Sequence, residues 1–195
     1  MNIKSKRYIY LLLLLLSLGL VGFSIFNKID VNKTVNVGDA IDNLNGVAVY
    51  HNGPTSNVLG RNTVDGYNLG LKYQCVEFVK RYYYHHLHHK MPDSWGHAKS
   101  FFNQSAADGA INKQRNLTQY TNPSASKPQV DDILIFDENP DNEFGHVAII
   151  SKVTNNTIEI VQQNMPKSRV NHTIMYKDNK WTIVGSDILG WLRKE

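Results

Sequence analysis

The sequence predicts an α+β domain, with one main helix ahead of a run of antiparallel strands. Three observations predict it. Val76, Val79, Tyr83 and Leu87 recur at spacings of three and four, which reads as a helix over 74–89 closed by Met91-Pro92. The second half breaks into short apolar or alternating runs at 132–136, 146–153 and 157–164. Two further runs, 173–176 and 181–184, flank Asp178-Asn179, a hairpin turn signal.

The remaining elements follow in chain order. Residues 1–7 carry Lys4, Lys6 and Arg7. Residues 8–26 (YIYLLLLLLSLGLVGFSIF) hold no charge. As a helix that length spans a hydrocarbon layer of ~30 Å, and the preceding positive charges place the N-terminus in the cytoplasm. The segment reads as a transmembrane anchor or a cleaved signal peptide, and in either case the following chain is exported. Polar residues 27–40 read as a tether, and 41–195 as the single domain that a chain of 195 residues supports. Within it, 47–50 reads as a strand, 51–70 as loop, 95–105 as a second helix and 115–128 as loop.

Composition is that of a globular protein, with 42% hydrophobic and 19% charged residues. The formal charge of +4 is concentrated at the start. From residue 27 onward, 18 basic residues face 17 acidic ones, so the basic balance does not indicate a nucleic-acid partner. Nothing in the composition calls for a cofactor, and a monomer is expected.

Cys75 is the single cysteine, so no intrachain disulfide forms and the fold rests on its core. It falls in the first turn of the predicted helix. Free N–H groups and the positive dipole end there favour a thiolate by about 0.3–1 kcal/mol, and the same N–H groups suit a developing oxyanion. A small buried hydrophobe is the plain alternative for such a cysteine.

Among eight histidines, His146 suits a general base. It follows Gly145 and opens the run His-Val-Ala-Ile-Ile, so a strand would hold it firmly at a cleft. The cluster at 85–89 places His85 and His89 four apart on the predicted helix, but no carboxylate stands with them to complete a metal site. Asp65-Gly66-Tyr67-Asn68 offers one acid, too few for a calcium site, and no metal is expected.

A catalytic histidine needs a third group to orient it. Gln162 and Asn164 share a strand face with Ile158 and Ile160. If 154–156 form a three-residue loop, His146 lies opposite Asn164 and diagonal to Gln162. If Asn155-Asn156 is a two-residue turn, Lys152 pairs with Glu159 and both amides face away. A functional His146 requires the first register, or a bulge.

These residues form an ordered set. Tyr73-Gln74-Cys75-Val76-Glu77-Phe78, Lys80-Arg81, the 132–136 strand, Gly145-His146-Val147-Ala148, Gln163-Asn164 and Ile188-Leu189-Gly190-Trp191 together resemble the CHAP family, the cysteine, histidine-dependent amidohydrolases and peptidases. Within it the likeness is to the glutathionylspermidine amidase type, over about 45–193. The resemblance implies a papain-like fold, with Cys75 as nucleophile and His146 as base. It also implies that Gln162 stands where the family usually has glutamate, and that Asn164 is the family asparagine. An oxyanion site would use the Cys75 N–H and a second donor, Gln74. The exported topology favours a peptide amide of peptidoglycan outside the membrane as substrate, whereas the sequence likeness favours a small amide. A small peptide–polyamine amide is the alternative, and a catalytically weak wall-binding module is the third.

Overall fold

The computed structural model describes residues 13–17, which are helical, and 35–195. No helix among the described residues is long and apolar enough to cross a membrane. The expected anchor or signal segment at 8–26 lies, apart from 13–17, outside the described residues.

The domain is a small α+β unit with one helix and many antiparallel strands. The helix α1 spans Cys75–His85. Two hairpins precede it, β1 (Ala40–Leu44) with β2 (Val47–Tyr50), and β3 (Arg61–Val64) with β4 (Tyr67–Leu71). After it come β5 (Ala110–Asn112), β6 (Leu117–Thr121), β7 (Ile133–Phe136), β8 (His146–Val153) and β9 (Thr157–Val161). The chain finishes with β10 (Arg169–Lys177), β11 (Lys180–Ile183) and β12 (Ile188–Arg193). These eight strands form one antiparallel sheet in the order β11-β10-β9-β8-β7-β12-β6-β5.

The sheet curls back on itself. Ser124, just beyond β6, exchanges both backbone hydrogen bonds with Trp181 of β11, at 3.0 and 2.7 Å. Asn122 adds two more to Ile183. One face of the sheet thus encloses Leu134, Phe136, Ala148, Ile150, Ile158, Ile160 and Trp191. The opposite face carries Ile133, Ile135, Val147 and Ile149, against which α1 buries Phe78, Val79, Tyr82 and Tyr83. Strand β7 is buried on both faces, which is why its sequence is a continuous apolar run rather than an alternation.

Several elements differ from the sequence expectation, each for a local reason. The helix ends at His85, four residues early. His88 turns to φ 51°, and the His89 ring folds inward onto the Arg115 carbonyl at 2.9 Å. His85 and His89 therefore do not share a helical face. The second helix expected at 95–105 reduces to a 3-10 turn at Lys99–Phe101. The buried Arg115 guanidinium takes the carbonyls of Asp93, Trp95 and Ser100, which a helix would have spent on its own N–H groups. The expected loop at 51–70 contains the β3–β4 hairpin, turned at Asp65-Gly66 with φ 49° and 75°. That Asp-Gly pair is a hairpin signal. The expected loop at 115–128 contains β6, whose polar sequence hides a strand held by its neighbours β5 and β12.

Gly190 marks the tightest approach in the sheet. A Cβ there would overlap the Tyr120 carbonyl and stand 2.9 Å from the Phe102 ring. Gly190→Ala is expected to lower unfolding free energy by about 1–3 kcal/mol, the range for overpacking. Urea denaturation at neutral pH checks this.

Candidate active site

Cys75 opens α1. The preceding Gln74 is extended, with φ −81° and ψ 163°, and no side chain caps the helix. The first N–H groups are thus left free. The backbone N–H groups of Val147, Val76 and Cys75 itself lie near the sulfur and favour its ionised form. Val147 follows His146, so the thiol sits at the mouth of β8, one peptide from the histidine. Cys75 is 9% exposed. Burial pushes its pKa up, and the three N–H groups offset this only in part.

His146 is held from several sides. Gly145 turns with φ 70° directly before it, and a Cβ there would meet the Phe136 carbonyl at 2.5 Å. Asn142 fixes the same turn by donating to the Gly145 carbonyl at 2.7 Å. Phe136 lies opposite His146 across β7–β8, with ring centroids 5.7 Å apart. Burial lowers the imidazole pKa to about 4, although the Gln162 hydrogen bond and the Asp187 charge pull it upward.

The orientation of the ring comes from Gln162. His146 Nε2 lies 3.0 Å from Gln162 Oε1. Gln162 Nε2 in turn donates to the Lys167 carbonyl at 2.9 Å, which fixes which end of the amide faces the ring. The network therefore assigns the proton to Nε2 and leaves the Nδ1 lone pair as the base.

This contact depends on an irregularity. At the β8–β9 turn the pairing is Lys152↔Glu159 and Val153↔Ile158, the register that would turn Gln162 away from His146. Ser151 then bulges out, and beyond it Ile150 faces Ile160 and Ile149 faces Val161. Continued along the strands, this register sets His146 opposite Asn164 and diagonal to Gln162. The Ser151 hydroxyl secures the bulge by donating to Glu159, at 2.7 Å to the carboxylate and 3.2 Å to the carbonyl.

The structure brings His146 and Gln162 into hydrogen-bond contact, and it sets the Cys75 sulfur near the Val147 N–H, one peptide along β8. It does not bring Asn164 to the ring. Asn164 adopts φ 64° and turns toward the 52–57 loop. Its Nδ2 donates to Gln74 Oε1 at 2.6 Å and to the Thr55 carbonyl at 2.9 Å, and its Oδ1 accepts from Asn52 at 2.8 Å. Gln74 does not offer a free side-chain donor either. Its amide hydrogens go to the carbonyls of Asn57 and Thr55, at 2.8 and 3.3 Å. The Cys75 N–H is the remaining oxyanion donor of the expected pair.

Sequence reasoning missed the connectors. Gln163 Nε2 donates to the Gln74 carbonyl at 3.1 Å and to Glu77 at 2.9 Å, which ties the end of β9 to the start of α1. Glu77 is fully buried and also binds Arg81 and Asn62. The i, i+4 spacing of Glu77 and Arg81 was a readable signal. Asn52, buried at the centre of its loop, gave none. No group of three or more His, Cys, Asp or Glu able to hold a metal ion occurs among the described residues.

A cysteine at a helix start and a histidine oriented by an amide are the residue types of a cysteine-type hydrolase. The CHAP domain matches residues 65–164, about half of the sequence, and the chain belongs to that family of amidohydrolases and peptidases. It is 28% identical over 145 residues to trypanothione synthetase of Crithidia fasciculata, covering 68% of this chain and 22% of that protein. It is 32% identical over 103 residues to glutathionylspermidine synthase of the same organism, covering 49% and 14%. It is 28% identical over 147 residues to the bifunctional glutathionylspermidine synthetase/amidase of Escherichia coli (strain K12), covering 70% and 23%. The chain thus spans less than a quarter of the length of these relatives.

The buried neutral imidazole makes stability depend on pH. Its folded pKa of about 4 lies below the unfolded value of about 6.5, so the contribution is complete above pH ~6.5 and is lost as pH falls toward 4. The loss amounts to about 3 kcal/mol. His146→Gln removes this dependence. Urea titrations of both proteins from pH 7 to 4 are expected to show their stability difference shrink by about that amount in the variant's favour.

Proposed function

We propose that the chain hydrolyses amide bonds with Cys75 as nucleophile, and that its substrate is a peptide amide of peptidoglycan outside the membrane. The observation that supports this reading is the orientation of the His146 ring by Gln162, whose oxygen meets Nε2 and so leaves the Nδ1 lone pair free to act as a base. The helix-on-sheet layout supports reading the fold as papain-like.

The resting pair is a neutral thiol and a neutral imidazole, because burial disfavours both charged forms. His146 Nδ1 takes the Cys75 proton as the sulfur attacks the carbonyl carbon. The Cys75 N–H meets the oxyanion. The C–N bond breaks as the imidazolium returns that proton to the departing amine. Nδ1 then deprotonates water, which attacks the thioester. The C–S bond breaks, the acid is released and the thiol is restored. Gln162 orients the ring as a neutral acceptor. Asn164 and Gln163 act as positioning residues, one holding Gln74 and the 52–57 loop, the other the start of α1.

Two features support a target beyond the membrane. The uncharged run at 8–26 follows Lys4, Lys6 and Arg7, and peptidoglycan is the amide-rich polymer on that side. The glutathionylspermidine relatives favour a second reading, a small peptide–polyamine amide as substrate.

One assay separates the readings. The full chain is incubated with purified peptidoglycan and, separately, with glutathionylspermidine, and newly released amines are quantified. Release from peptidoglycan is expected, with Cys75→Ala slower by at least about 10³-fold. Release from glutathionylspermidine alone assigns the small-amide reading. Release from neither, with retention on the wall, assigns a binding module and overturns the hydrolase.

A further inference from the structure

Gln162 meets the His146 ring as it does only if two conditions hold together. The β8–β9 ladder must shift at Ser151, so that Gln162 turns toward the ring. The Gln162 amide must also present its oxygen and not its nitrogen. Each condition has its own support, and both supports end on one side chain, Arg169.

The first route runs through Glu159. The Ser151 hydroxyl, which secures the bulge, donates to Glu159 Oε1 at 2.7 Å. Arg169 Nη1 donates to the same oxygen at 2.9 Å. The Ser151 and Arg169 hydrogen bonds hold the Glu159 carboxyl below the usual carboxylate range, so this acceptor is ionised at neutral pH.

The second route runs through the 167–168 segment. Gln162 donates from its backbone N–H to the Ser168 carbonyl and from Nε2 to the Lys167 carbonyl, both at 2.9 Å. Ser168 is itself held from β1, where its hydroxyl donates to Asp42 Oδ2 at 2.8 Å. Arg169, the first residue of β10, binds the same carboxylate twice, Nε to Oδ2 at 2.8 Å and Nη2 to Oδ1 at 3.1 Å. Its Nη2 also donates to the Asn43 carbonyl at 2.9 Å. The hairpin that carries Asp42 is anchored in turn. Leu44, Val47 and Val49 pack in the core with α1, and the Tyr50 N–H donates to Gln163 at 2.7 Å.

A lone surface ion pair holds little. Here four hydrogen bonds to three residues fix one planar guanidinium, which a fork of donors allows and an ammonium does not. We propose that Arg169 is a positioning residue for His146: by binding Asp42 and Glu159 together, it holds the Ser151 bulge and the Lys167 and Ser168 carbonyls in place, and so keeps the Gln162 oxygen on the ring. The inference rests on the hydrolase reading for its purpose. Its physical content, the tautomer of His146, is measured without any substrate.

The test uses the full chain with 15N-labelled histidine, the ring signals of His146 being assigned by their loss in H146Q. The variants are R169A, E159A and E159Q. At pH 7 the parent ring is expected to carry its proton on Nε2. R169A and E159A are expected to spread the proton over both nitrogens, and R169A to lower kcat for amide cleavage about 10- to 100-fold with KM little changed. E159Q keeps an oxygen for both Ser151 and Arg169, and is expected to retain the parent ring signals. A role confined to holding the β1–β2 hairpin would lower stability in urea and leave the ring signals of R169A as in the parent. That outcome overturns the inference. If R169A does not fold, E159A and E159Q carry the comparison, and identical ring signals from the two overturn it. Loss of the hydrolase reading would show separately, as no amine released by the parent from either substrate while the ring signals still decide Arg169.

Discussion

One hydrogen bond organises this site, the contact between His146 Nε2 and Gln162 Oε1. It exists only because Ser151 is squeezed out of the β8–β9 ladder. Strand side chains alternate with a period of two, so a one-residue offset at the hairpin end would turn Gln162 to the wrong face. The bulge cancels that offset midway. The ordinary two-residue turn and the functional face are thereby reconciled in one hairpin, and Glu159 accepts the Ser151 hydroxyl at the point of reconciliation.

Beyond that contact, three successive amides divide the labour of holding the site together. Gln162 reaches the imidazole, Gln163 reaches the start of α1, and Asn164 reaches Gln74 and the 52–57 loop. Alternation carried on just past β9 sends the first two to opposite sides of the sheet. The left-handed turn at Asn164 then redirects the chain toward the loop. The helix that presents Cys75 and the strand that presents His146 are therefore cross-linked through one short segment. Neutral amides suit this task, because each both donates and accepts and none adds a charge to a pocket that excludes water.

Much of this was legible in the sequence where hydrophobic period and position agreed. The start of the helix at Cys75, the limits of β8 from His146 to Val153, and the turn at Asp178-Asn179 all follow from residue pattern. The short strands β1, β5 and β6 were not legible. They are polar or three to five residues long, and backbone pairing with neighbours distant in sequence holds them. The helix end was misread because four histidines extend the pattern past the point where the His89 ring turns inward. Within the site, Cys75, His146 and Gln162 stood out by residue type and context. The bulge at Ser151 left both registers open, since a serine among apolar residues reads the same in either.

Sulfur that stays protonated at rest has a further chemical consequence. Peroxides and disulfides attack thiolate far faster than thiol, so oxidative loss tracks the ionised fraction and its access to reagents. Cys75 is nine-tenths enclosed, and burial raises its pKa. With no second cysteine in the chain to form an internal disulfide, reversal of a sulfenic acid would rest on an external thiol. Enclosure and a raised pKa thus both slow the oxidants that would consume this lone sulfur.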